Sequence, residues 1–436
     1  MKFYDREEEL AMLKQGRDAV GLASRFTVLV GRRRVGKTAL LLQQADKKDF
    51  LYLFVSRKSQ SLLCAEFQQE AQKALGIQIF GVCTQFAQLF EQLLVFSASH
   101  PFTLVIDEFQ DFSRVDKSIF SDIQRLWDMH ASTARINLIA CGSIYSMMIK
   151  VFEDEDEPLF GRADNKMVLR PFTVATIKEI LQDHNKLSTN RDLLTLYAIC
   201  GGIPRYLAIM MDGGATTQES MLDMVCRKDS QFLREGYEVL LSEFGRDHSI
   251  YFSILQLIAQ GRNTQSAIDS IIEKNTGAYL ENLEQEYSLI RKIRPFGAKP
   301  QSRSIHWQIN DCFLRFWFRF VYSNVSLVEA GRLDLLREII ERDWSGFCGL
   351  VLEEYFRQKY REEGRFTEVG SYWSTKGTDE IDLVAVSELD KTALLAEVKM
   401  DENKYSFDEL AYKARNLVSA LKGYDVSYTG LSLSDM

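Results

Sequence analysis

The chain has 436 residues, 46% hydrophobic and 26% charged, with a formal net charge of -8. That length exceeds one compact core, the composition excludes a disordered or fibrous chain, and the negative balance excludes a global attraction to nucleic acid. Any such binding would have to come from local basic patches. The first nine residues carry acids where a secretory leader needs an apolar run, and no segment approaches about 18 uninterrupted apolar residues. The expectation is a cytoplasmic protein with no membrane partner. The seven cysteines form no CxxC pair, which argues against a disulfide framework or a zinc site.

Residues 26–30, 50–55, 102–106 and 136–141 are short apolar runs separated by stretches of helical period, the pattern of buried parallel strands with crossover helices. The first run leads into Gly31-Arg32-Arg33-Arg34-Val35-Gly36-Lys37-Thr38 and then an apolar helix, the context that G-x-x-x-x-G-K-[ST] requires. Gly31 and Gly36 let the backbone fold around a β-phosphate, met by converging N–H groups and the positive end of the helix. Lys37 adds a charge at the β- and γ-phosphates, Thr38 offers its hydroxyl to magnesium, and Arg34 lies in the same nucleotide-binding loop. The alternative, an ordinary strand–loop–helix, is weakened by a second motif: the third run ends in Asp107-Glu108. Asp107 would hold magnesium through water, and Glu108 would orient or deprotonate the attacking water. Ser143, just past the fourth run, suits a γ-phosphate sensor. Arg162 could reach a γ-phosphate within the chain or from a neighbouring subunit of a homo-oligomer, although a surface ion pair explains it equally well.

From about 172 to 245 the pattern is helical, interrupted by Gly201-Gly202-Ile203-Pro204, as in a lid. Residues 249–310 read as three helices, the third spanning 277–290, plus a hairpin with a strand at 304–309, the winged-helix arrangement. The third helix carries Glu281, Glu284 and Glu286, which disfavours docking in a DNA groove. The wing concentrates Arg291, Lys292, Arg294, Lys299 and Arg303, leaving two alternatives open: contact with a DNA backbone, or a packing surface facing acids elsewhere. An aromatic helix at 313–318 precedes the last unit. There, 381–386 and 394–399 read as a hairpin of two alternating strands. Glu397 and Lys399 share one face by the two-residue period, and Asp382 on the partner strand could join them around a divalent ion, with Glu353 or its neighbour Glu354 as a further acid. A charged outer face of a half-buried hairpin is the alternative. Lys376 and Gly377 could guide a phosphate backbone.

Several of these features together resemble the archaeal-type ATPase family within the signal-transducing ATPases with numerous domains. They are the opening Phe3-Tyr4-Asp5-Arg6-Glu7-Glu8-Glu9-Leu10, the arginine triplet of the loop, Asp107-Glu108-Phe109-Gln110, Gly161-Arg162 and Gly201-Gly202-Ile203-Pro204. The resemblance implies an α/β fold: a P-loop parallel sheet at 1–170, a helical lid at 171–245, a winged helix at 246–312, and linker helices with a restriction-endonuclease-like PD-(D/E)xK domain at 313–436. It also makes Pro204 and Tyr206 lid contacts to the nucleotide. The implied activity is ATP hydrolysis with magnesium as a nucleotide-controlled switch. The switch is coupled to a metal-dependent DNA nuclease built on Asp382, Glu397, Lys399 and Glu353, or alternatively to an inactive binding module in a regulatory or scaffold ATPase.

Overall fold

The computed structural model describes residues 1–43, 49–244, 248–299, 301–302, 304–374 and 379–436, without the side chains of Ser242 and Glu243. Arg303, Lys376, Gly377 and the 245/246 boundary therefore lie outside the described residues. The chain divides into two units, one formed by Asp5–Arg170 and the other by Met1–Tyr4 together with Pro171–Met436.

The first unit is built on a five-stranded sheet. Its strands are β1 (Arg25–Val30), β2 (Phe50–Phe54), β3 (Phe102–Asp107), β4 (Ile136–Gly142) and β5 (Asn165–Val168), in the order β2-β3-β4-β1-β5 and all parallel. All residues of β3 and β4 are buried, because helices cover both faces of a parallel sheet and leave no face for polar side chains. Four of the strands coincide with apolar runs. The fifth does not: Asn-Lys-Met-Val buries only Met167, as an edge strand with one neighbour can. Phe109, Phe112, Phe120 and Phe152 pack into a core beneath the acid-bearing end of β3, with ring centroids about Phe109 at 5.4–5.6 Å.

In the second unit, helices Val174–His184, Asn190–Cys200, Pro204–Asp212, Gln218–Val225 and Phe232–Phe244 form the first part. Thr173, Thr189 and Thr217 cap three of them by accepting a backbone N–H three residues on. Helices His248–Ala259, Gln265–Ile272 and Gly277–Glu281 follow, then the antiparallel hairpin of β6 (Ile290–Ile293) and β7 (His306–Ile309). The third helix is shorter than the 277–290 expected from sequence. It widens into a π-turn over Asn282–Glu286, and Ser288, at φ 50°, turns the backbone left-handed so that Ile290 can pair with Ile309. The aromatic segment forms the helix Cys312–Phe316 and a π-turn Trp317–Val321, every residue buried except Arg315 and Arg319.

A 30-residue helix, Leu333–Glu362, leads into a separate C-terminal sheet of β8 (Glu368–Trp373), β9 (Glu380–Ser387), β10 (Thr392–Lys399) and β11 (Asp425–Ser432), ordered β11-β10-β9-β8. The pairing is antiparallel except for β10 with β11, which run parallel because helix Phe407–Ala420 crosses over between them. The alternation expected for β9 is masked, since seven of its eight residues are buried. Leu383 and Ala385 join the core of the long helix, whereas Val384 and Val386 pack with Leu410, Ala414 and Leu417 of the crossover helix. Both faces are therefore covered.

Candidate nucleotide site and C-terminal charge cluster

Because β4 is inserted between β1 and β3, the ends of all three strands emerge together, with Val30 in register with Gly142 and Ile106 with Ala140. Such an edge, where the strand order reverses, is where open α/β sheets bind ligands. Gly31 turns out of β1 where no larger residue fits: a Cβ there would lie 2.8 Å from the carbonyl oxygen of Leu169. The loop then passes through left-handed backbone at Arg34 (φ 70°) and Gly36 (φ 95°), folding its N–H groups into a concave anion cradle before helix Lys37–Gln43 begins. Lys37 is buried, and its Nζ donates to the carbonyls of Gly31 at 2.7 Å and Arg32 at 3.1 Å. The Arg34 side chain is exposed.

Thr38 Oγ1 lies 3.4 Å from Asp107 Oδ2, and Oδ1 of the same carboxylate accepts the Glu108 N–H at 2.9 Å. A hydroxyl and a carboxylate oxygen meeting at the mouth of an anion cradle are the hard donors that magnesium takes, so these residues fit the ion. Tyr52, on β2, donates to Asp107 Oδ2 at 2.5 Å. Burial first, and then this bond, push its phenol well above the ordinary range, so it remains a donor. Glu108 leaves β3 through left-handed backbone (φ 53°), which swings its carboxylate away from Asp107. There, Oε2 accepts from Ser143 Oγ at 2.7 Å and from Gln110 Nε2 at 2.6 Å.

Asp107, Glu108, Thr38, Lys37 and Ser143 are thus one constellation. Arg162 is engaged elsewhere, donating to Asp128 at 3.1 Å and to the Phe160 carbonyl at 2.9 Å. Pro204 opens helix Pro204–Asp212 in the second unit, where its missing N–H costs no hydrogen bond. The residues before it are tightly held: Gly201 has φ 54°, and Phe172 N–H donates to the Gly202 carbonyl at 2.8 Å. Tyr206 is a core residue and not an open contact, at 3% exposure, with its ring 4.4 Å from that of Phe313 and its hydroxyl on Glu235 at 3.2 Å.

In the C-terminal sheet, Lys399 Nζ lies 2.8 Å from Glu397 and 3.5 Å from Asp382, whose Oδ2 also accepts the Val398 N–H at 2.8 Å. Lys413, on the crossover helix, reaches Glu397 at 3.0 Å. Burial raises the Glu397 carboxyl, but the two lysines outweigh it and hold the group below its ordinary value. Glu353 approaches this group from the long helix, near enough to Asp382 for that carboxylate to raise it. By the two-residue period Glu397 faces the crossover helix with Ala393 and Leu395, whereas Glu353 belongs to the long helix and pairs with Arg357 at 3.3 Å. Its neighbour Glu354 is buried among Arg291, Arg357 and Arg361 at 2.5, 3.2 and 3.3 Å. Among the described residues no group of three or more His, Cys, Asp or Glu side chains could hold a metal ion. In the hairpin, Arg291 is committed to Glu354, Lys292 contacts Glu284 at 2.5 Å, and Arg294 and Lys299 are exposed.

Tyr52 and Lys413 escaped the sequence reading, which named Gln110 only as the end of the Asp107–Gln110 motif and gave it no role. Tyr52 shows as the one polar tip in β2, but nothing local says that it reaches Asp107. Gln110 stands two residues after Glu108, and Lys413 four after Glu409, to which it also pairs at 2.9 Å.

Comparison with known proteins points to the same fold. Residues 3–210 match the family described as an ATPase domain predominantly from Archaea, and residues 317–410 match a family of archaeal and bacterial proteins of unknown function. An uncharacterized protein of Methanocaldococcus jannaschii is 28% identical over 433 residues, covering 97% of this chain and 93% of that one. A Walker-type ATPase of Pyrococcus abyssi is similar in fold, with a TM-score of 0.54 at 20% identity over 73% of this chain and 96% of that one. The chain therefore carries an archaeal-type ATPase domain, followed by a C-terminal domain of a family without assigned function.

Proposed function

We propose that the loop at 31–38 binds ATP with magnesium and that Glu108 activates the water that cleaves it. The observation that carries this reading is the approach of Thr38 Oγ1 to Asp107 Oδ2 beside the buried Lys37, with Glu108 held separately by Ser143. Magnesium, when bound, neutralises charge on the β- and γ-phosphates; Thr38 and, through water, Asp107 are the residues that would hold it. Lys37 meets the same phosphates, Gly31, Arg34 and Gly36 shape the cradle, and Ser143 senses the γ-phosphate. Arg162 would leave Asp128 to reach that phosphate, within the chain or across a homo-oligomer. The test is a pair of variants assayed for nucleotide binding and phosphate release. Lys37→Ala abolishes ATP affinity, whereas Glu108→Gln retains it and loses turnover; unchanged hydrolysis in the second removes Glu108 from its role.

At the level of the whole chain, the reading is a cytoplasmic switch in which nucleotide state sets the posture of a helical lid bearing Pro204, a winged helix at 246–312 and a nuclease-like domain at 313–436. The approach of Asp382, Glu397 and Lys399 supports a metal-dependent nuclease in which the acids bind the ion and the lysine positions water. The exposed Arg294 and Lys299 supply DNA-backbone contacts. A second reading, a scaffold ATPase with an inactive C-terminal module, is favoured by Lys413, which occupies the Glu397 carboxylate, and by the pairing of Glu353 with Arg357. Incubation with single- and double-stranded DNA and magnesium or manganese separates them. Cleavage lost in Glu397→Ala or Lys399→Ala supports the nuclease, and no cleavage in any nucleotide state supports the scaffold.

A further inference from the structure

We infer that Gln110 positions Glu108 for the hydrolytic step, an inference that rests on the ATPase reading. In that step the water gives a proton to Glu108 while its oxygen bonds to the γ-phosphorus. The β,γ-bridging P–O bond breaks, and its electron pair leaves on ADP. Glu108 must therefore present one carboxylate oxygen in a fixed direction. Both side-chain hydrogen bonds to it, from Ser143 and Gln110, fall on Oε2, so Oε1 is left for the water.

Gln110 is poorly explained as a structural residue. It is 1% exposed, and its Oε1 is buried with no hydrogen-bond partner. A buried acceptor left unsatisfied lowers stability, and an apolar side chain of the same shape would remove that cost. The surroundings are nonetheless shaped to admit the amide. A Cβ on Gly142 would lie 2.4 Å from Met148 Sδ and 2.5 Å from Gln110 Oε1, so a glycine before Ser143 leaves room for both side chains. The side chain thus satisfies Glu108 at the expense of its own carbonyl, and a group held in an unfavourable setting by its surroundings is characteristic of functional sites.

Gln110→Met keeps the volume and removes the donor. Steady-state ATP hydrolysis, binding of a fluorescent ADP analogue and thermal unfolding are measured on the full chain, alone and combined with Glu108→Gln. The expected result for Gln110→Met is a kcat lowered about tenfold or more, with KM and analogue affinity within about twofold. The thermal midpoint stays level or rises. In the Glu108→Gln background, Gln110→Met causes no further loss, because Gln110 acts through Glu108. Gln110→Leu, which also lacks the donor, lowers kcat in the same way and serves if Gln110→Met fails to fold. A kcat within twofold of the parent, a loss of kcat that tracks a fallen thermal midpoint, or an undiminished effect in the Glu108→Gln background overturns the inference. If Glu108→Gln alone hydrolyses ATP at the parental rate, the ATPase assignment of Glu108 has failed instead.

Discussion

Tyr52 donates its hydroxyl hydrogen to Asp107 Oδ2 at 2.5 Å, on the same oxygen that Thr38 Oγ1 approaches at 3.4 Å. One carboxylate oxygen thus stands between a tyrosine from β2 and a threonine from the nucleotide loop. On the proposed reading, the phenol fixes the direction in which Asp107 would face magnesium. Tyr52→Phe is expected to raise the magnesium concentration for half-maximal hydrolysis by about threefold to tenfold, equivalent to about 1 kcal/mol, the net worth of one ordinary hydrogen bond. Affinity for ADP without magnesium stays unchanged. A magnesium titration of phosphate release checks this, and an unaltered half-saturation would detach Tyr52 from the site.

Glu353 and Glu354 are adjacent and share Arg357, yet titrate in opposite directions. Burial, with Asp382 and Glu380 adding and Arg357 opposing, pushes Glu353 up to about 7. A carboxyl raised in the folded state adds stability that is fully present below its unfolded value of about 4.3 and is lost as pH rises through the folded one. The thermal midpoint of the parent should fall between about pH 5 and 8 relative to Glu353→Gln, whose difference from the parent would otherwise be flat.

Burial also raises Glu354, but Arg291, Arg357, Arg315 and Arg361 together outweigh it and hold the carboxyl far below its ordinary range. Here the contribution is present above about pH 4.3 and is lost as pH falls through the depressed value. Glu354→Ala leaves buried guanidinium groups uncompensated and should cost about 3–5 kcal/mol. It is read as a drop in the thermal midpoint at neutral pH that narrows in acid.

Gly202 admits no side chain. A Cβ there would stand 2.1 Å from the carbonyl oxygen and 2.6 Å from the nitrogen of Phe172, backbone atoms that cannot rotate away. Gly202→Ala should destabilise by more than about 3 kcal/mol, toward the large end of single-substitution effects. Limited proteolysis within 171–436 checks it. Resistance equal to the parent would show that the Phe172 segment can shift.

The parts legible in the sequence were those whose cause is local. Strands β1, β3 and β4 are continuous apolar runs because both faces are covered, and the turn after β1 needs Gly31, Gly36 and Lys37 in a short fixed spacing. Strand β5 was illegible because an edge position needs little apolar surface: only Met167 is buried. The end of the third helix at Glu281 depends on the pairing of Ile290 with Ile309, nineteen positions away in sequence and invisible to helical period. Register explains the remainder. The two-residue period put Glu397 with Lys399 but could not say that Lys413 would cap them from a crossover helix, nor that Glu353 would be turned to Arg357.

The four residues Met1–Tyr4 belong to the unit of Pro171–Met436, where Tyr4 is buried and donates to Asp183 at 3.0 Å. In topological terms the ATPase unit is an insertion, entered at Tyr4–Asp5 and left at Arg170–Pro171. Separating the two units for study therefore takes two cuts, not one. A fragment beginning at Pro171 would lack a side chain of its own interior, so its instability would report the missing Tyr4 and not dependence on nucleotide. Supplying the first four residues through a short linker ahead of Pro171 restores that piece and allows residues 171–436 to be assayed without residues 5–170.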